Sequence, residues 1–286
     1  MSKTNSSPLA AIRDVLVGST VENGYEVASP VIGYGLTLAK AVGAHLTIQS
    51  ASWRLLGDDS WLAQFDGEGS TIVDRRLDRL ARAIAEDAAG AAAQAGIVCA
   101  IETPSLSYPE VVNRLADRAR LHDLTILEAG PRSYDLNGET IETTLLRSGR
   151  PVIAVPPGHA TFSARQIVLA WDGSAQAVRA ANDALPFLRA AEAVKIVSVN
   201  NETEIHEAMS GAEFAPHLAH HGVNVTINNL PMGEGIAETL RAQAVLLQAD
   251  MIVMGAYRHS RARQFFFGSV TRSLLRDSPA PLFLAH

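Results

Sequence analysis

The 286 residues are 47% hydrophobic, enough apolar side chain to fill about two cores at ~150 residues each. A formal net charge of -6 excludes a nucleic-acid backbone or an anionic membrane surface as the main partner, since both require clustered positive charge. The one cysteine, Cys99, can form no intrachain disulfide, the first residues contain no apolar signal core, and no stretch of about 18 residues lacks charges and turn formers; the expectation is a cytoplasmic protein that neither is exported nor spans a membrane.

Residues 15–17 are a short apolar run closed by the turn-prone Gly18, Ser19 and Thr20, which reads as a buried strand. Val31, Gly35, Leu38, Ala39 and Val42 follow at helical spacing, Gly43 ends that helix, and residues 46–48 form the second strand. An irregular insert over 51–69, carrying Trp53, Trp61 and Phe65, leads to a long helix over 72–95 with Leu77, Leu80, Ala81 and Ile84 on one face. Gly96 closes it, and residues 97–101 are the third strand. A helix through Val111, Val112, Leu115 and Ala119 reaches Asp123 and the strand 124–127, and a short helix over Leu145 and Leu146 precedes a last strand over 152–155.

The second half repeats this order. Residues 167–169 are a strand, Ala177, Ala181, Ala184, Leu185 and Leu188 line a helix, and 195–199 is the next strand. A shorter polar helical region covers 203–221, a strand covers 223–227, and Ile236, Leu240, Ala244 and Leu247 mark another helix. Asp250 then precedes the strand 251–254 as Asp123 precedes 124, and 282–285 closes the series. Gly138 and Pro151 are separated as Gly268 and Pro281 are, and each pair brackets a Leu-Leu-Arg and a final strand, the mark of a duplication. Pro156, Pro157, Gly158 and His159 deny both helix and sheet, so the domains are expected at 1–158 and 159–286. The fold class is α/β, two tandem flavodoxin- or Rossmann-like domains, each a five-stranded mostly parallel sheet with helices on both faces. Ligands of such sheets sit at the carboxyl ends of the strands.

One of those ends carries chemistry. After 251–254 the chain reads GAYRHSRARQFFFGSVTRSLL. Gly255 lets the backbone turn, and Gly268 with Ser269, Val270 and Thr271 opens a helix whose free N–H groups, with the Ser269 hydroxyl, form a site for a phosphate. This stretch resembles the universal stress protein family, whose pattern is G-x2-G-x9-G-S/T after the fourth strand of a five-stranded domain. The likeness covers both halves in element order but the glycine motif only in the second, where Arg258 stands at the second glycine and Gly268 and Ser269 fall in register.

The resemblance implies ATP as the ligand, with Mg as the ion that accompanies it. It also implies that Asp172 of WDGS hydrogen-bonds the ribose or adenosine end, that the Val199 backbone meets adenine, and that Gly255, Gly268, Ser269 and Val270 hold the phosphates. Arg258 admits two readings: its side chain fills the phosphate space, or with His259, Arg261 and Arg263 it brings positive charge beside a polyphosphate. In the first half Thr20 stands for Asp172, Glu128 for Gly255, and Glu139 follows Gly138 where Ser269 follows Gly268. Glu139 at a helix start would complement the dipole and repel phosphate, so this half is expected to bind no ATP and to serve as a scaffold, or to hold another ligand under the aromatic insert.

His217 and His221 lie one helical turn apart, but no Cys or close Glu completes a zinc set, so no metal is expected. Cys99 reads as a small buried hydrophobe, and Phe265, Phe266 and Phe267 as packing. No Ser-His-Asp order, paired carboxylates or Walker loop is present; taken with this, the resemblance implies a stress-response protein using nucleotide as a non-catalytic switch or interaction module. A slow ATPase, and an interaction protein binding no nucleotide or a different ligand in the first half, are the alternatives. The family pairs its last strands antiparallel across a dimer; here 152–155 and 282–285 would pair within one chain as a pseudo-dimer, with further homodimerisation and protein partners left open.

Overall fold

The structure is a computed structural model, and it describes residues 7–21, 29–54, 67–130, 134–200, 209–256 and 268–286. The first half runs β1 (Asp14–Val21), α1 (Pro30–Val42), β2 (His45–Arg54), α2 (Gly67–Gln94), β3 (Cys99–Glu102), a short β4 (Ser105–Ser107), α3 (Tyr108–Ala119), β5 (Leu124–Glu128), α4 (Tyr134–Ser148) and β6 (Val152–Val155). The second runs β7 (Gln166–Ala170), α5 (Ala175–Asp183), α6 (Leu185–Ala190), β8 (Ala193–Asn200), α7 (Gly211–His220), β9 (Val225–Pro231), α8 (Ile236–Leu246), β10 (Met251–Gly255), α9 (Ser269–Arg276) and β11 (Leu282–Ala285).

The strands form one sheet in the order β3-β2-β1-β5-β6-β11-β10-β7-β8-β9, with β4 pairing off β2. Every pairing is parallel except β6 with β11, where Val152, Ile153 and Ala154 lie antiparallel to Leu284, Phe283 and Leu282. The two halves are thus the same five-stranded unit, joined through their last strands as an intrachain pseudo-dimer. These strands can occupy the centre because every residue of both is apolar and buried, as a strand covered on both faces requires. Alternation in β1 then sorts the core: Val15 and Val17 pack toward α1, and Leu16 packs on the opposite face with Leu115, Ile141 and Leu145.

A carboxylate clip recurs in each half. Asp123 Oδ2 accepts the backbone N–H groups of Arg13 at 2.7 Å and Asp14 at 3.1 Å, and Asp250 Oδ2 accepts those of Arg165 and Gln166 at 2.9 Å each. The aspartate before the fourth strand thereby holds the start of the first. Across the seam, the connecting chain lies on α1: the Phe162 N–H donates to Thr37 Oγ1 at 2.8 Å, and Gly33 has no Cβ because one would sit 2.8 Å from the Ala160 carbonyl. Phe162 meets Tyr34 and Phe187 edge-on, with ring centres 5.7 and 5.8 Å apart, and Phe187 meets Phe283 at 5.7 Å.

Several boundaries differ from the sequence reading. Cys99 is half-buried and Ile101 is 40% exposed, because β3 is an outer strand covered on fewer sides than an interior one. The polar region expected over 203–221 is helical from Gly211, where Ser210 and Glu213 form a capping box that apolar spacing does not reveal. The strand expected at 223–227 lies two residues later and ends at Pro231. Helix α2 starts at Gly67, inside the expected irregular insert; Trp53 of that insert belongs to β2 and packs on Tyr108 at 5.2 Å, while Trp61 and Phe65 fall outside the described residues. Among the described residues no helix is long and apolar enough to cross a membrane.

Replacing Asp250 with alanine strips the acceptor from two N–H groups at once. Urea unfolding of Asp250→Ala is expected to show a loss of about 1–3 kcal/mol, and Asp123→Ala a similar one. An unchanged midpoint in both would show that the clip contributes nothing.

Candidate functional site

Strand register assembles the site. Leu169 lies opposite Val253 and Ala170 opposite Val197, so continuing along the strands puts Gly255 level with Trp171 and Val199 level with Asp172. The carboxyl edge of the second half therefore gathers Asp172, Val199 and Gly255. Exposed Asp172 uses Oδ1 to accept the Ser174 N–H at 3.0 Å, closing a turn through Gly173, whose φ is 71°. Ser174 in turn caps α5 by accepting the Ala177 N–H at 3.1 Å. Among the described residues the other Asp172 oxygen has no hydrogen-bond partner.

Trp171 anchors this turn from below. It is buried, stacks on Phe214 of α7 with ring centres 4.3 Å apart, and donates its indole N–H to the Met209 carbonyl at 2.8 Å. The sequence reading passed over Trp171 and Phe214; the signal was an aromatic immediately before the Asp-Gly-Ser turn. Val199 is half-buried against the cluster that includes Ala237 and Leu240.

Gly255 has a different reason from the one expected. Its φ lies outside the left-handed region, and a Cβ there would stand 2.5 Å from the Gln176 carbonyl carbon and 2.6 Å from the Ala177 nitrogen. The glycine lets the first turn of α5 lie directly on the end of β10. Gly268 is the opposite case: it is exposed at the N-cap of α9 with φ -56° and ψ 155°, and a Cβ would meet nothing within 4 Å. Ser269 is exposed beside it, and half-buried Val270 packs on the core with Leu274 and Leu275, in the cluster that holds Met254 and Ala256 of the β10 end. The first N–H groups of α9 are thus uncapped by any side chain of Gly268 and lie at the surface. Arg258, His259, Arg261, Arg263 and Phe265 to Phe267 are outside the described residues.

The first half is built differently at the same edge. The paired clips make Asp14 the counterpart of Gln166 and Asp123 that of Asp250, so Thr20 corresponds to Asp172 and Glu128 to Gly255. The Glu128 carboxylate accepts a hydrogen bond from the Ser29 hydroxyl at the N-cap of α1. A side chain of this chain thereby stands at a helix start where an anion would be stabilised. Glu139, expected at a helix start, is instead inside α4, which begins at Tyr134. The connection from β5 to Gly138 is shorter than that from β10 to Gly268, and the helix has taken up its residues. His217 packs between Phe214 at 5.2 Å and His221 at 4.8 Å and donates from Nε2 to Asn182 Oδ1 at 3.2 Å. Among the described residues no group of three His, Cys, Asp or Glu is placed to hold a metal ion.

Comparison with known proteins agrees with this architecture. Residues 198–286 match the sequence model of the universal stress protein family, a span that includes Val199, Gly255, Gly268, Ser269 and Val270 but starts beyond Asp172. The whole chain shares its tandem fold with solved structures. A universal stress protein from Archaeoglobus fulgidus superposes with a TM-score of 0.62 at 18% identity, covering 95% of this chain and 96% of that one. A putative universal stress protein from Pseudomonas aeruginosa gives 0.55 at 14% identity, over 97% of this chain and 94% of that one. A functionally unknown protein from Pseudomonas aeruginosa gives 0.56 at 14%, over 98% and 94%. No curated protein matches the sequence.

The two glycines make a paired test by thermal and urea denaturation. Gly255→Ala forces its Cβ into the backbone of α5 and is expected to cost about 1–3 kcal/mol. Gly268→Ala enters open space and is expected to cost less than about 1 kcal/mol. Equal losses would mean that Gly255 is not held by the contact with α5.

Proposed function

We propose that the second half, residues 159–286, binds a nucleotide, ATP by the family resemblance, and acts as a non-catalytic switch or interaction module of the stress response in the cytoplasm. The contrast between the two halves carries this reading. At one carboxyl edge α9 opens on a bare Gly268 with exposed Ser269, and at the other Glu128 meets the α1 cap while α4 extends past Gly138. A phosphate suits the first arrangement, where among the described residues no side chain caps the opening N–H groups beside the Ser269 hydroxyl, and is disfavoured at the second.

In this reading Ser269 and the N–H groups that open α9 hold phosphate, with Gly255 and Val270 shaping the approach; Mg, carried on the phosphates of ATP, would supply charge neutralisation there. Asp172 presents its unengaged oxygen to the ribose while the other oxygen keeps the turn, and Val199 contributes backbone contacts to the base. A carboxylate committed on one side to its own turn suits holding better than proton transfer. Nucleotide occupancy would bias the edge formed by the β10 end and the start of α9 and so alter association with protein partners.

Calorimetric titration with ATP tests the assignment. Asp172→Ala is expected to weaken binding at least tenfold, the loss of one charge-assisted hydrogen bond of ~1.5 kcal/mol. An unchanged affinity would place the ligand elsewhere. Arg258→Gly separates the two roles of that arginine: tighter binding assigns it as a plug, weaker binding as a clamp.

A further inference from the structure

The two outer strands of the sheet are finished differently. At one end β3 has four residues and closes on Glu102, which ion-pairs with Arg114 and Arg118 of α3; Pro104 follows, and β4 turns back onto β2. A short strand ending in a charge and a proline is a poor template for a further strand. At the other end β9 has seven residues and pairs β8 along its whole length. Among the described residues no strand lies on its outer side. Residues 222–233, which contain it, include no Asp, Glu, Lys or Arg.

The backbone of β9 shows what its open side offers. The Val194 N–H donates to the Asn224 carbonyl at 2.9 Å, which sets the phase of the parallel ladder. Thr226, Asn228 and Leu230 therefore turn their backbone groups toward β8, and Val225, Ile227 and Asn229 turn theirs outward. The outward run is bounded on both sides. The Val223 N–H is already bonded to the Leu218 carbonyl at 3.1 Å, and Pro231 has no N–H to give. What remains is symmetric about Ile227, whose side chain is apolar and 41% exposed. Apolar surface continues beside the strand. Asn228 Nδ2 donates to Gln243 Oε1 of α8 at 3.2 Å, and exposed Ile236 and Leu246 lie on the same stripe of that helix as Gln243. Met232, just past the strand, is exposed as well.

We propose that β9 pairs antiparallel with β9 of a second copy of this chain, about a twofold axis at Ile227, so that one sheet runs through both subunits. In that register Ile227 lies opposite the partner's Ile227, and Val225 and Asn229 lie opposite the partner's Asn229 and the partner's Val225. Each of these pairs exchanges two N–H···O bonds. The symmetry of the open groups selects a second copy, since a strand read in reverse about Ile227 presents the same donors and acceptors. The absence of charge removes the repulsion that keeps like edges apart. The molecule already uses this mode of joining, because β6 and β11 unite its two halves antiparallel and edge to edge. An isologous contact of this kind closes on itself and yields a dimer, not a filament, because β3 ends in Glu102 and offers no matching edge.

Sedimentation velocity of the full chain over a range of concentrations tests the pairing. A reversible monomer–dimer equilibrium is expected, with a Kd of about 10 μM or below. Ile227→Lys sets like charges opposite each other at the axis, and Asn229→Pro removes an outward N–H while leaving the ladder to β8 intact. Each is expected to raise the Kd at least about tenfold, and Ile227→Val to change it less than about threefold. Amide hydrogen exchange of the wild type locates the contact without any variant, and decides the matter if the variants do not fold. The N–H groups of Val225, Ile227 and Asn229 are expected to exchange at least about tenfold more slowly in the dimer than at dilution. A monomer at ~100 μM would overturn the proposal and leave the edge to a strand of another protein. A dimer that both variants leave intact, or one that gives those three N–H groups no added protection, would overturn it equally.

Discussion

The antiparallel pairing of β6 with β11 is the constraint on which the rest of the molecule depends. Each half has a last strand so apolar that it must be covered on both faces and along its edge, and the other half supplies that cover. Because the pairing is antiparallel while all others are parallel, the two halves point their carboxyl edges in opposite directions. The candidate nucleotide edge and its first-half counterpart therefore open at opposite ends of the sheet and cannot share one ligand. The same seam places Phe162, Phe187 and Phe283 in one aromatic core, so the halves are bound by packing as well as by strand pairing.

Duplication then allowed the two edges to diverge while the frame stayed fixed. The clips at Asp123 and Asp250 are preserved in detail, as they must be if the first and fourth strands are to keep their register. At the edges the substitutions act together. Glycine at 255 admits the first turn of α5, whereas Glu128 at the matching position accepts a hydrogen bond from the Ser29 hydroxyl at the N-cap of α1. Trp171 is wedged against Phe214 beneath the Asp172 turn, while its first-half counterpart is Ser19, buried but without such a ring.

Much of the architecture was legible because it rests on features that sequence displays directly. Alternating apolar runs and helical spacings marked the central strands, and the repeated aspartate and Gly-to-Pro intervals marked the duplication. The outer strands were placed less well: β3 and β9 carry exposed residues such as Ile101 and Ile227, so burial pattern is weak there. The start of α7 depends on a Ser210–Glu213 capping box rather than on apolar spacing. At the candidate site, the reason for Gly255 could not be read from the sequence, since the approach of α5 is a tertiary contact between residues far apart in the chain. The position of Glu139 was misjudged for a similar reason, because loop shortening converted a helix start into a helix interior.

The central claim is that one half of a duplicated chain retains an open nucleotide edge and the other has closed it from within. The number of ATP molecules bound per chain at saturation, counted by native mass spectrometry, tests it most directly. One per chain is the result predicted; two would show that Glu128 does not exclude the nucleotide, and none would show that the open start of α9 does not bind it.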